Sequence, residues 1–308
     1  SGRFGTLDLK AGESRSLQFN LSNIRPKPGV RYYLTVQAKT KYKKPMVPEN
    51  HLVAWEQFEL PIYRELVAEN MSELPALNLF KSDKGAEVYG QGFKVVFDKN
   101  FGQLSEYVVN GEALISSPAE THFWRAPNDN DLGNGMPLRT QVWKNAGVRM
   151  KTKEVKSILK NNTAVVVMVS EDTLSGTLVE SQYSVYGNGM VNVRQTIIIA
   201  DSILTEIPRI GMKFILPGDY NYVEWFGRGP HESYWDRKTS AAIDYYKGTV
   251  WEQTYQYVRP QETGNKTDVH WMALSNGNTG ILAKGQPTFD ASVHQCPSSD
   301  LDYLPKSQ

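Results

Sequence analysis

Short stretches in which apolar and polar residues alternate with a period of two recur along this chain, the pattern of strands buried on one face. Leu17, Phe19 and Leu21 alternate with Gln18 and Asn20, and Tyr32, Leu34, Val36 and Ala38 alternate with Tyr33, Thr35 and Gln37. Pro26-Lys27-Pro28-Gly29 turns the chain between them. A third strand fits residues 51–60, where the apolar phase passes from Val53 and Trp55 to Phe58 and Leu60, as one extra residue in a bulge would produce. The pattern predicts a sandwich-like module over residues 1–64, marginal on its own. Residues 65–84 carry Pro75 and no sustained period, and read as a connector.

From Glu87 the strand signals resume. Val95 and Phe97, then Leu104 and Tyr107 to Val109, flank Asp98-Lys99-Asn100-Phe101-Gly102, and Asn110-Gly111 supplies a second tight turn. Further strands fit residues 164–170, 181–186, 190–199 and 209–216, with Gly187-Asn188-Gly189 turning one pair. Only residues 138–146 predict a helix, with Gly147 placed for a left-handed cap. Strands do not alternate with ten-residue helices, so a parallel α/β fold is disfavoured. Residues 85–308 are expected to form a large antiparallel sandwich, and the chain as a whole is all-β.

Charge narrows the partners. Thirty-four Lys and Arg nearly cancel 33 Asp and Glu, leaving no field to hold a polyanion, so nucleic acid is not an expected partner. No apolar run approaches the roughly 20 residues that span a bilayer, and a membrane is not expected either. A single cysteine, Cys296, excludes an internal disulfide framework and a cysteine-rich zinc module, but leaves the compartment open between cytoplasm and periplasm. Both ends read as cuts in a longer protein.

Three polar-aromatic clusters carry the candidate chemistry. The first is Thr121-His122-Phe123-Trp124-Arg125-Ala126-Pro127-Asn128-Asp129-Asn130-Asp131. Trp124 would offer an apolar face to a sugar, and Arg125, Asn128, Asp129, Asn130 and Asp131 would offer donors and acceptors to its hydroxyls. The same residues suit a rigid loop whose Asx side chains cap its own turns. A calcium loop lacks its terminal Glu, so no metal is expected there. The second cluster, residues 225–237, holds Arg228, Glu232, Asp236 and Arg237, a ligand site or a structural ion-pair network. Its Gly227-Arg228-Gly229 has no third glycine and no βαβ frame, so a dinucleotide cofactor is not expected. The third, residues 255–264, places Arg259 and Glu262 between aromatics. The five histidines never recur at zinc-pair spacing. The basic stretch of residues 39–44 reads as an edge strand protected by lysines.

Taken in order, these clusters resemble the C-terminal region of a glycoside hydrolase family 2 β-galactosidase. The resemblance rests on Phe123 to Asp131 with Trp143-Lys144 and Ala146-Gly147, on Gly227-Arg228-Gly229-Pro230 with Glu232, Tyr234, Asp236 and Arg237, and on Tyr257-Val258, Pro260, Glu262 and Gly264. It implies an Ig-like domain followed by a small-chain domain, a galactose-mutarotase-like supersandwich shortened at its C-terminus. It also implies a homo-oligomeric parent that hydrolyses β-galactosides with retention, using two Glu on a (β/α)₈ barrel. No barrel repeat occurs in this chain, so no catalytic residue is expected in it. The barrel of the same parent chain and the β-galactoside sugar are the implied partners. An aromatic contact lent by this domain to the sugar would fall near residues 283–289, with Phe289 the nearby candidate. Two rival readings are a carbohydrate-binding module using Trp124, Arg125, Asp129 and Trp235, and an aldose epimerase. The epimerase would require two histidines converging on a carboxylate.

Overall fold

A computed structural model describes residues 2–18, 20–21, 24–66, 70–201 and 204–302. The chain divides into two compact units, Ser1–Glu69 and Asn70–Gln308. In the first, β1 (Tyr33–Lys39) pairs antiparallel with β2 (Leu52–Glu59). Pairing runs from Tyr33 with Glu59 to Ala38 with Ala54, then steps to Lys39 with Leu52. The extra residue is therefore Val53, not one between Trp55 and Phe58, and the bulge lies at the start of the strand. Leu17 and Leu21 are in no strand, and Phe19 lies outside the described residues. Instead of three strands the described unit has two. A lone pair cannot enclose a core, and Val53 and Phe58 are accordingly exposed.

The second unit begins with a meander: β3 (Asn78–Ser82), β4 (Gly85–Gly90), β5 (Phe93–Asp98), β6 (Gln103–Val109) and β7 (Glu112–Ala113) lie side by side in chain order. The end of the expected connector is thus a strand of this sheet, where Leu79 opposite Val88 packs on the core. Asn110 and Gly111 both have positive φ, 50° and 85°, in the turn between β6 and β7, which is why that dipeptide stands there. After β8 (Glu120–His122) come β9 (Met150–Lys160), β10 (Thr163–Asp172), β11 (Leu178–Tyr186) and β12 (Val191–Ile198), a second sheet in the order β12-β11-β10-β9.

The two sheets face each other as a sandwich. Val88, Val95 and Phe97 from the first meet Val166, Met168 and Tyr183 from the second, all fully buried. Alternation along β10 puts Ala164, Val166 and Met168 into this layer. The Phe97 and Tyr183 rings lie 4.8 Å apart, and the Tyr183 hydroxyl donates to Gln103 Oε1 at 2.7 Å, so the polar tip of this buried ring is satisfied.

β8 pairs with β13 (Gly211–Lys213). The last sheet contains β14 (Tyr222–Gly229), β15 (Ala242–Thr249), β16 (Lys266–Ser275) and β17 (Gly280–Ala291), ordered β15-β14-β16-β17. Of the expected strand over 209–216 only the three residues of β13 pair.

The helix expected over 138–146 is replaced by single turns: α1 (Asp129–Gly133), α2 (Met136–Arg139), a 3₁₀ turn at Gln141–Trp143, and α3 (Ala146–Arg149), with α4 (Ser298–Leu301) near the end. Tertiary demands break the helix. Trp143 is fully buried against Phe123, with ring centroids 5.6 Å apart, and its indole N–H donates to the Thr205 carbonyl at 3.1 Å. Gly147 falls inside α3, where a Cβ would sit 2.0 Å from the Thr121 carbonyl oxygen. Its function is close packing rather than the expected cap.

Candidate functional site

The three sequence clusters, the first of them more than 90 residues ahead of the second, meet in one polar junction. The first is rigid by local chemistry. Asn128 caps α1, accepting from the Asp131 N–H at 3.0 Å, while the Asp131 carboxylate accepts from the Asn128 N–H at 2.9 Å. Arg125 then clamps Asp131 in a two-pronged ion pair, its Nη2 at 2.8 Å from Oδ1. Asp129 and Asn130 are exposed on α1, and Asp129 pairs with Arg259 of the third cluster.

The second cluster continues β14. Gly227 lies so close to β16 that a Cβ would be 2.7 Å from Val269 Cα. Gly227→Ala is therefore expected to destabilise the unit by about 1–3 kcal/mol through overpacking, read as a fall in the urea midpoint. An unchanged midpoint would show that β16 can retreat.

Beyond Gly229 the chain turns, and Glu232 enters the interior with its side chain 7% exposed. Its carboxylate accepts from the Gly264 N–H at 2.8 Å, from the Tyr257 hydroxyl, and from Arg237 Nη2 at 2.6 Å, with the Thr263 hydroxyl 3.3 Å away. Burial opposes its charge, but the Tyr257 hydroxyl, the Gly264 N–H and Arg237 together outweigh it and hold Glu232 below the usual carboxylate range. Arg237 is correspondingly raised, chiefly by its bond to Glu232. Asp236 is exposed in the same turn.

In the third cluster Glu262, 5% exposed, accepts from Arg209 Nη2 at 2.6 Å. Tyr234 and His294 flank this carboxylate in charge if not by hydrogen bond. The Tyr234 hydroxyl and His294 Nδ1 are buried without a hydrogen-bond partner, and Glu262 acts electrostatically on both. Burial, reinforced by Glu262 and Glu232, keeps Tyr234 protonated far above its ordinary range. Burial lowers Lys266 to about 8; its ammonium donates to the Pro230 carbonyl at 3.1 Å and lies 5.2 Å from the centre of the Trp225 ring.

The remaining sequence candidates fall elsewhere. Trp124 is 5% exposed and presents no free face; its N–H donates to Asp302 at 3.0 Å, and Lys144 bonds the same carboxylate at 2.6 Å. Arg228 pairs with Asp268, Nε to Oδ2 at 2.5 Å. Phe289, half-buried in β17, packs on the cluster of Val223, Trp225, Val269 and Met272. Arg209 and Lys266 were not singled out by sequence, because each is an isolated residue whose partners lie tens of residues away.

Chemically, the junction is a cross-link. Each of its buried acids is matched by an arginine: Asp131 by Arg125, Glu232 by Arg237, Glu262 by Arg209. A general acid needs a carboxyl raised toward neutrality, and Glu232 is displaced the other way. Among the histidines, His231 is exposed and bonded to Ser240 at 2.9 Å, and His270 stacks on Phe226. His122 and His294 share the field of Arg209, and burial lowers both. Two open clefts of about 400 and 380 Å³, lined respectively by residues such as Phe93, Tyr107 and Asn188 and by Gln141, Lys144 and Arg149, contain no histidine and no carboxylate. Among the described residues no three His, Cys, Asp or Glu group as a metal site would require.

Comparison with known proteins finds matches to most of this sequence. The profile of the family described as β-galactosidase small chain covers residues 89–306, and that of β-galactosidase domain 4 covers residues 1–61. The chain is 35% identical over 265 residues to a β-galactosidase of Priestia megaterium, covering 85% of this chain and 25% of the relative. It is 31% identical over 206 residues to a β-galactosidase of Halalkalibacterium halodurans, covering 66% and 20%, and 30% identical over 279 residues to one of Psychromonas ingrahamii, covering 85% and 27%. The chain thus spans about a quarter of the length of these relatives.

Proposed function

The chain belongs to the β-galactosidase family, and we propose that it is a non-catalytic C-terminal portion of a retaining β-galactosidase that braces the barrel and shapes the rim of its active site. The observation that carries this reading is the junction itself: three family motifs are spent on pinning one loop, residues 254–264, by Glu232 from beneath and by Asp129 at Arg259. At the crest of that pinned loop Val258 is fully exposed, with Tyr255 63% exposed beside it. A rigid loop holding apolar residues in water suits a surface that another domain covers. The barrel of the same parent chain is the partner this reading supplies. Residues 1–64 would be its Ig-like domain and residues 85–308 its small-chain domain, in a homo-oligomeric parent acting on β-galactosides.

Hydrolysis with retention requires two carboxyl groups about 5 Å apart across the anomeric carbon, one of them able to donate a proton. Acids already neutralised by arginine do not meet that need. The purified 308-residue chain is therefore expected to show no turnover of a nitrophenyl β-galactoside. The same chain, exchanged for the corresponding region of the Priestia megaterium relative, is expected to restore turnover that deletion of the region abolishes. Activity that follows the isolated chain through repeated purification would overturn the proposal, as would a chimera that folds and stays inactive.

A further inference from the structure

Outside the junction, one cluster combines an open aromatic ring with balanced charges. Trp235 is 74% exposed, and the Lys238 ammonium lies 4.3 Å from its ring centre, which leaves the opposite face of the indole in water. Near it Asp290 has its carboxyl raised by burial, which the neighbouring Trp235 side chain and Asp268 backbone offset in part. Asp268 itself stands where the β16–β17 register shifts between Lys266 and Val269, with φ at 53°. That left-handed conformation is unfavourable for a residue other than glycine and persists only where the surroundings hold it. Here Arg228 and Lys238 do so, at 2.5 and 3.1 Å from Asp268 Oδ2. Arg228 is fixed in turn by the Ala241 carbonyl at 2.8 Å.

We propose that Trp235, Lys238, Arg228, Asp268 and Asp290 form a surface binding site for a neutral pyranoside of the β-galactoside class. The choice of sugar class rests on the β-galactosidase reading above; the choice of a neutral polyol rests on the site. Two cations and two carboxylates sum to zero charge, so the site has no net preference for an ion. Lys238 supplies a donor and Asp290 an acceptor near an exposed indole, which matches a ring with an apolar C–H face and hydroxyls that both donate and accept. A purely apolar partner would leave Asp290 desolvated and only partly paired, and a polyanion would meet both carboxylates.

The test is calorimetric titration of the purified 308-residue chain with methyl β-D-galactopyranoside and with lactose. Saturable binding with Kd on the order of 1 mM is expected for a single stacking platform. Trp235→Ala is expected to weaken it at least about tenfold, and Asp290→Asn to weaken it in part. Trp251→Ala removes another exposed indole, 59% accessible, and should leave binding unchanged. Unaltered urea midpoints would show that each variant folds. Absence of saturable heat well past the millimolar range, or equal binding by Trp235→Ala, would overturn the site. Neither outcome bears on the turnover and chimera assays, so failure here is separable from failure of the proposed function.

Discussion

Glu232→Ala is expected to lower the stability of the second unit by about 3 kcal/mol, the largest effect of any single change in the junction. The reason is what the substitution strands. The Gly264 N–H, within a run of buried residues, loses its acceptor, while the Thr263 hydroxyl, 1% exposed, keeps its bonds to the Tyr255 carbonyl and N–H. A buried donor left unmatched costs about 1–3 kcal/mol. Arg237 contributes less to the loss, since its side chain is 57% exposed and water can replace Glu232 as its partner. Glu232→Gln keeps an acceptor for Gly264 and Tyr257 and is expected to lose about half as much. Urea unfolding of the three proteins checks this. A cost below about 0.5 kcal/mol for the alanine variant would mean that water already serves these groups, and that the loop is not pinned.

The same substitution bears on function through the proposed brace. If residues 254–264 shape the rim, a parent enzyme carrying Glu232→Gln should retain the chemistry of its barrel while binding its substrate less well. Catalytic glutamates would be untouched, so the change would appear mainly in KM.

What could be read from sequence follows from the range of the interaction involved. The strands β5, β6, β10, β11 and β12 were legible because residues such as Val95 and Phe97, or Val166 and Met168, alternate locally, and burial on one face writes that period into the chain. The clusters were legible as clusters, since Asp131 finds its cap at Asn128 and its arginine at Arg125 within six residues. Their meeting was not legible. Arg209 reaches Glu262 across 53 residues and Arg259 reaches Asp129 across 130, and no local pattern encodes such contacts. β14 was hidden for a different reason. Trp225-Phe226-Gly227-Arg228-Gly229 has the glycines of a loop, yet Gly227 is there because β16 passes too close for a Cβ. The single turns from α1 to α3 replaced a helix because Trp143 must point inward, a constraint set by Phe123 and Thr205 rather than by helix propensity.

Acid is expected to destabilise the second unit well before its carboxylates are protonated, and His122 is the reason. Burial, with Arg209 and Lys213 adding repulsion, lowers this imidazole from 6.5 to about 4 in the folded chain. As pH falls through 6.5 the unfolded chain binds a proton at this position and the folded chain does not, so the unfolded state is favoured progressively. The loss continues until about pH 4, where the folded imidazole also titrates, and it amounts to about 3 kcal/mol over that window. His294, lowered in the same sense by burial, adds to it. The depressed carboxylates act lower on the scale. Asp172, whose bonds from Arg149 and Ser175 outweigh its burial, and Glu232 contribute stability above their unfolded pKa values and lose it only as pH falls through their folded ones. Two phases should therefore separate in urea midpoints measured from pH 7 to pH 3. His122→Gln, which cannot take up the proton, should flatten the upper phase and leave the lower one. If the variant and the natural chain decline in parallel between pH 6.5 and 4, the imidazole is solvated in the folded state and its burial in β8 is not what resists protonation.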